Sequence, residues 1–332
     1  MTTSRRPQIW SALCLALVSL AGCGWSLTAP GKSWHGTSPT PNPEAIALQR
    51  SLRRTVETLA TDVGTRNVRY AAELTRAAQF IETELRAAGL SVERQSFATD
   101  GVETANLVGT VAGGTTAREI VVVGAHYDTV STTPGADDNA SGVAALLELA
   151  RAAARRHPAR TLRFVFFTNE EPPYFQTEKM GSLVYARACR SRNDNITAAF
   201  SLESIGVFSD SPNSQHYPWP FSWFYPSTGN FLAFIGNPAS RALTRQATAT
   251  FRQHATVASE AAALPDSIDG IGWSDHWAFW QVGYPAVMVT GTAPFRNASY
   301  HKRTDTSDTL DYDRLERAVH GLDFVLIDLA GG

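Results

Sequence analysis

Apolar residues recur at helical spacing over residues 43–62 and 67–90, with Ala, Leu, Glu and Arg on the remaining faces, so the chain is predicted to open with two helices. Residues 91–98 and 104–111 then alternate or cluster β-formers and are backed by Gly-rich turns. The run at 119–125 differs: it is short and almost unbroken in apolar character, as expected of a strand covered on both faces. A helix over 141–156 and a second buried strand over 161–168 follow. Beyond them come a helix at 177–192, strands at 198–205 and 230–236, helices at 238–254 and 275–282, a strand at 286–290 and a helix at 311–329. Strands that alternate with helices predict an α/β fold, a three-layer α/β/α sandwich with a central mostly parallel mixed sheet. With no repeat and no break in composition after residue 43, residues 44–332 read as one domain.

The first residues follow another pattern. Arg5 and Arg6 precede an apolar run over 9–20 and then small residues, the tripartite shape of a secretory signal over 1–22. The apolar run is at the short limit for a membrane span. Leu20-Ala21-Gly22-Cys23 resembles the lipobox of bacterial lipoproteins, in which the cysteine is acylated and becomes the mature N-terminus. Residues 23–43, rich in Gly, Ser, Thr and Pro, suit a flexible tether. A single lipid anchor on Cys23 would then hold the protein to a membrane at the bacterial cell envelope, on the periplasmic or extracellular side.

Composition narrows the function. At 332 residues, 43% hydrophobic and 18% charged, the chain can bury a large core and is not disordered. Lys plus Arg is 29 against 31 acids, a net charge of -2 without a long basic run, which argues against a nucleic-acid partner. Of the three cysteines, Cys14 lies inside the apolar stretch and Cys23 at its edge; Cys189 reads as a small buried residue on a helix, so no disulfide framework is expected. The segment 208–231 is dense in Pro, Trp, Phe and Tyr and has neither period. It reads equally as a pocket wall and as an aromatic plug over a sheet edge.

The polar residues that stand out follow strand ends, where α/β sheets place their sites. His126 and Asp128 end the 119–125 strand; Gly135-Ala136-Asp137-Asp138-Asn139-Ala140-Ser141-Gly142 opens the next helix. Asn169-Glu170-Glu171 ends the strand at 161–168, Glu203 lies on the strand at 198–205, and Tyr300-His301 with Asp305 sits on a late loop. Singly, each has an ordinary reading as a helix cap or a solvated face. Together they would crowd negative charge at one edge with nothing to neutralise it, a conflict that divalent metal resolves. Two His, several carboxylates and no Cys suit Zn2+, and Mn2+ or Co2+ fit the same kind of site. Two ions need a shared carboxylate, and adjacent glutamates allow one to ligate while the other handles a proton of water.

These residues resemble peptidase family M28, the di-zinc aminopeptidase-like metallopeptidases, from about residue 50 to the C-terminus. The most specific pieces are Gly124-Ala125-His126-Tyr127-Asp128, the 135–142 motif, Asn169-Glu170-Glu171, and Tyr300-His301 with Asp305-Thr306. The resemblance implies a zinc-dependent exopeptidase acting on the N-terminal residues of peptides and holding two Zn2+. His126 and Glu203 would ligate one ion, Glu171 and His301 the other, and Asp138 would bridge them. Asp128 would orient His126, Asp305 would support His301, Glu170 would be the general base, and Tyr300 would hydrogen-bond the oxyanion. Glu203 stands where many members carry Asp, and 208–231 lies outside the minimal pattern; both bear on the substrate. Ser274-Asp275-His276-Trp277 reads either as a pocket element or as a helix cap, not as a metal site. The alternatives are a one-zinc glutaminyl cyclase, a carboxypeptidase of the same fold, and a metal-free binding ectodomain. A complete set of ligands weighs against the last.

Overall fold

The computed structural model describes residues 27–331. The expected signal at 1–22 and the acylation site Cys23 lie outside them. Eight strands form one sheet: β1 Ser91–Thr99, β2 Val102–Val111, β3 Thr116–His126, β4 Arg160–Phe167, β5 Asn195–Glu203, β6 Phe231–Gly236, β7 Ala258–Ala263 and β8 Ala286–Thr290. Their order is β1-β2-β4-β3-β5-β8-β6-β7. The centre, β4-β3-β5-β8, is parallel, while β2 joins β1 and β4, and β6 joins β8, antiparallel.

Helices α1 Pro43–Glu57, α2 Ala71–Ala87, α3 Gly142–Ala154, α4 Gly181–Ser191, α5 Arg241–His254, α6 His276–Gln281 and α7 Tyr312–Ala330 flank the sheet. Local chemistry marks the ends of several. Asn42 caps α1 by accepting from Ala45 N–H, with Pro43 in the first turn, and Asp311 caps α7 by accepting from Arg314 N–H. The period-two burial of the strands divides the core. Val121 and Val123 on β3, Phe164 and Phe166 on β4, and Leu232 and Phe234 on β6 pack under α1, α2, α3, α5 and α7. Their neighbours Val122, Val165, Phe167 and Ala199 face the other way, under α4 and α6. That second layer stops short: over β6 and β7, Phe231, Ala233 and Ala258 are covered by Tyr217, from the irregular aromatic segment. The expected α/β/α sandwich is present, and half of one outer layer is loop.

Three differences from the sequence pattern are informative. Strand β7 was not anticipated: Ala-Ser-Glu-Ala-Ala-Ala has no β-branched residue, and parallel pairing with β6 alone makes it a strand. The helix expected from 177 starts at Gly181, because residues 172–180 make turns that return the chain from the site. Within the expected tether, residues 27–33 lie along the body. Arg252 Nη1 donates to the carbonyls of Ala29, Pro30 and Gly31, and Ser259 N–H on β7 donates to Ser33 Oγ. Cys189 is buried on α4, and burial pushes its thiol up to about 11.

Candidate metal centre and its pocket

Three strand ends deliver four of the predicted residues. His126 is the last residue of β3, Glu203 the last of β5, and Glu170-Glu171 follow β4 by three residues. Asp138 comes from a π-type turn, Ala136–Ser141, that leads into α3, and His301 from the loop before α7. These side chains converge as two groups, His126, Asp138 and Glu203, and Asp138, Glu171 and His301, each with its candidate ligand atoms within 4.8 Å of one another. Asp138 belongs to both. Its Oδ1 is 3.3 Å from His126 Nε2, and its Oδ2 is 3.1 Å from His301 Nε2. Glu203 Oε2 lies 3.3 Å from His126 Nε2 and Glu171 Oε2 lies 3.2 Å from His301 Nε2. Glu170 Oε2 stands 3.8 Å from His126 Nε2.

Electrostatics explain why such a cluster calls for a cation. Burial pushes Glu170 well above the usual carboxylate range, with Glu203 and Glu171 adding to it against the pull of His126. Burial and the neighbouring Asp138 push Glu171 up to about 8. Burial would also raise Asp138, but the two imidazoles overcome it and hold the carboxyl well below its usual range. Asp138 and Glu171 outweigh burial at His301, which rises to about 10, and Glu203 and Glu170 do so at His126, which rises well above its usual value. The imidazoles are thus acting as the cations of an acid cluster. Yet His126 Nε2, His301 Nε2, Asp138 Oδ2 and Glu171 Oε1 are buried without a hydrogen-bond partner. Buried polar atoms that face one another unpaired fit metal ligands better than a satisfied core. Imidazole nitrogen and carboxylate oxygen are the donors zinc takes.

The surroundings hold these groups through the backbone. Glu170 N–H donates to Asp128 Oδ1 at 3.1 Å and Glu171 N–H to Asp128 Oδ2 at 3.2 Å, while His126 Nδ1 lies 3.2 Å from the Asp128 carbonyl. Asp128 therefore anchors the two glutamates as well as facing the imidazole. Asp305 was expected to support His301; instead its carboxylate accepts from Asp137 N–H at 2.9 Å and Asp138 N–H at 3.2 Å, and so supports the shared aspartate. A carboxylate on those N–H groups stiffens a non-helical turn that a simple helix cap would not shape. Tyr300 stacks on His301 with centroids 3.8 Å apart. Burial and the four surrounding carboxylates keep its phenol protonated far above its usual range.

Several contributors escaped the sequence reading. Arg66 is fully buried and donates to the carbonyls of Tyr127, Pro134 and Gly135, stitching the loop between His126 and Asp138. Asn139 Oδ1 accepts from Ser204 N–H, and its Nδ2 donates to Leu202 O, tying the turn to the end of β5. Ser204 and Ser274 hydroxyls donate to the two oxygens of Glu203 at 2.8 and 2.9 Å. Of the 274–277 stretch, then, Ser274 reaches the site. His276 turns to the Ile271 carbonyl at 2.7 Å, and burial lowers it to about 4. The Asp-Asp-Asn motif was one signal for the turn and the 274–277 stretch one of two readings for Ser274; an isolated Arg66 offered none.

Beside the cluster opens a cavity of about 850 Å3, counting the part open to solvent, with Glu203 and Tyr300 at one end. Tyr217, Phe221 and Tyr225 of the aromatic segment form part of its wall.

A family model described as peptidase family M28 matches residues 106–322. Protein YfbL of Escherichia coli is 35% identical, over 85% of this chain and 88% of its own. Leupeptin-inactivating enzyme 1 of Streptomyces exfoliatus is 29% identical over 72% of this chain, which spans about half (52%) of that relative. Among solved structures, the zinc aminopeptidase BSAP of Bacillus subtilis superposes with a TM-score of 0.67 at 14% identity, over 85% of this chain and 95% of its own. The glutaminyl cyclase of Fimbriiglobus ruber gives 0.60 at 19% identity, over 90% and 99%. At those identities the two structures establish the shared fold.

Proposed function

The chain belongs to peptidase family M28, and from that premise we propose that it is a zinc-dependent aminopeptidase that removes N-terminal residues from peptides. One observation carries the reading: Asp138 turns one oxygen to each of two imidazole and carboxylate groups. His126, Glu203 and Asp138 would hold one ion, and Glu171, His301 and Asp138 the other; Mn2+ or Co2+ suits the same donors. Bound there, the metal supplies Lewis-acid polarisation of the scissile carbonyl and eases deprotonation of water.

The chain's own residues do the rest. Glu170, buried and with its proton affinity raised, takes a proton from the attacking water and delivers it to the leaving amine. Tyr300, protonated throughout the working range, donates to the oxyanion. Asp128 keeps the His126 ring and both glutamates in place. A one-zinc glutaminyl cyclase would leave the second ligand group without use. A carboxypeptidase needs a cation for the terminal carboxylate, and among the described residues no Lys, Arg or His lines the cavity. The pattern of residues 1–23 supports export and a lipid anchor on Cys23, testable by acyl labelling of the wild type against Cys23→Ser.

The decisive assay compares free and N-blocked aminoacyl chromogenic peptides, with chelator and then Zn2+, Mn2+ or Co2+ returned. Hydrolysis of free N-termini only, lost to chelator, is expected. Cleavage of blocked peptides, or release of ammonia from an N-terminal glutamine instead, would overturn the reading.

A further inference from the structure

One row of the sheet connects the candidate centre to the far edge. Glu203 on β5 pairs with Thr290 on β8, Thr290 pairs with Ala233 on β6, and Ala233 pairs with Glu260 on β7. Residues in register across neighbouring strands point to one face, so the four side chains form a line. That face is the one left without helices over β6 and β7, and all four residues line the cavity. Three strand spacings put the Cα atoms of Glu203 and Glu260 about 14 Å apart.

Between the two glutamates the floor is small, Thr290 and Ala233, and the sides are aromatic, with Tyr217, Tyr225, Trp273 and Phe295. The far carboxylate is half-buried, and its counter-ion among the described residues is a loose one. Arg252 Nη2 stands 3.9 Å away, beyond hydrogen-bond reach, and that group donates to the Ser259 carbonyl. Burial raises Glu260 above its usual range, against Arg252 and the more distant His35. Glu203, Glu260 and Asp269 all line the cavity, and no basic side chain does.

Resting on the aminopeptidase reading, we propose that this groove takes the side chain of the substrate's N-terminal residue and that Glu260 selects lysine or arginine there. Four methylenes and an ammonium span about 6 Å, a glutamate reaches about 5 Å and an N–H···O contact adds about 3 Å, which together match the length of the row. The aromatic sides cover the methylene stem while the charge continues to the carboxylate. A purely apolar side chain of that length would strip water from Glu260 and leave it only the loose pair with Arg252, and an acidic one would be repelled.

The test is steady-state hydrolysis of L-lysyl, L-arginyl, L-leucyl and L-methionyl p-nitroanilides by the zinc-loaded full chain. The lysyl and arginyl substrates are expected to exceed the others at least tenfold in kcat/KM. Glu260→Gln is expected to lower lysyl kcat/KM at least tenfold more than leucyl kcat/KM. Competition by L-lysinamide and L-norleucinamide, which differ in the terminal ammonium, tests the wild type without a substitution; the lysine amide is expected to inhibit at least tenfold more tightly. Equal inhibition, or a preference for leucyl over lysyl substrate, would overturn this inference and leave the peptidase reading standing. Hydrolysis of none of the four would overturn the peptidase reading and this one with it.

Discussion

The two ends of the cavity are built in opposite ways. At the centre the three carboxylate ligands are each fixed by a second group from elsewhere in the chain: Asp138 by Asp305, Glu171 by Asp128, Glu203 by Ser274. The outer wall, from Phe208 to Phe231, has one short 3-10 turn as its regular structure and leaves Trp219 and Trp223 79% and 74% exposed. Groups that must meet around a small ion tolerate little displacement, whereas a wall that only shapes a side-chain pocket can vary. Substitutions should therefore do severe damage at one end and graded damage at the other.

The largest effect is expected at the residue the two groups share. Asp138→Ala should lose at least one ion per chain in elemental analysis of dialysed protein and reduce turnover below detection; unchanged stoichiometry would break the comparison at its strong end. Next comes Glu170→Gln, which removes the proton carrier and not a ligand. It should retain metal and lower kcat by roughly 10^2 to 10^4. Asp128→Asn keeps its shape but weakens the grip on both glutamates, and metal affinity or kcat should fall about tenfold to a hundredfold. At the weak end, Trp219→Ser removes an exposed ring and should change unfolding stability by no more than about 0.5 kcal/mol. A larger shift in urea denaturation would show that the wall is more tightly built than its exposure indicates.

Much of this could be read along the chain. The buried strands at 119–125 and 161–168 are written in apolar stretches, the first almost unbroken and the second interrupted by Arg163. The candidate ligands stood out as a set, because acids and imidazoles at several strand ends would crowd charge at one edge, although each alone has an ordinary reading. Strand β7 was not legible, since alanines carry no β preference, and with it Glu260 had no assigned neighbour. The role of Asp305 was misplaced for a related cause: in sequence it is near His301, but its oxygens are satisfied by N–H groups 168 and 167 residues away. Arg66 gave no signal because a single arginine reads as surface until three loop carbonyls are found around it.

By itself the sequence determined the layered architecture and singled out acids and imidazoles at strand ends, because periodicity and residue type act locally, while the family followed from the resemblance of its motifs. Only the tertiary structure decided which oxygen of Asp138 faces which imidazole, that Asp305 braces the turn, and that Glu203 and Glu260 share one row of the sheet. Those are matters of register and of hydrogen bonds between distant segments. No local preference encodes them, and they exist only once the strands have paired.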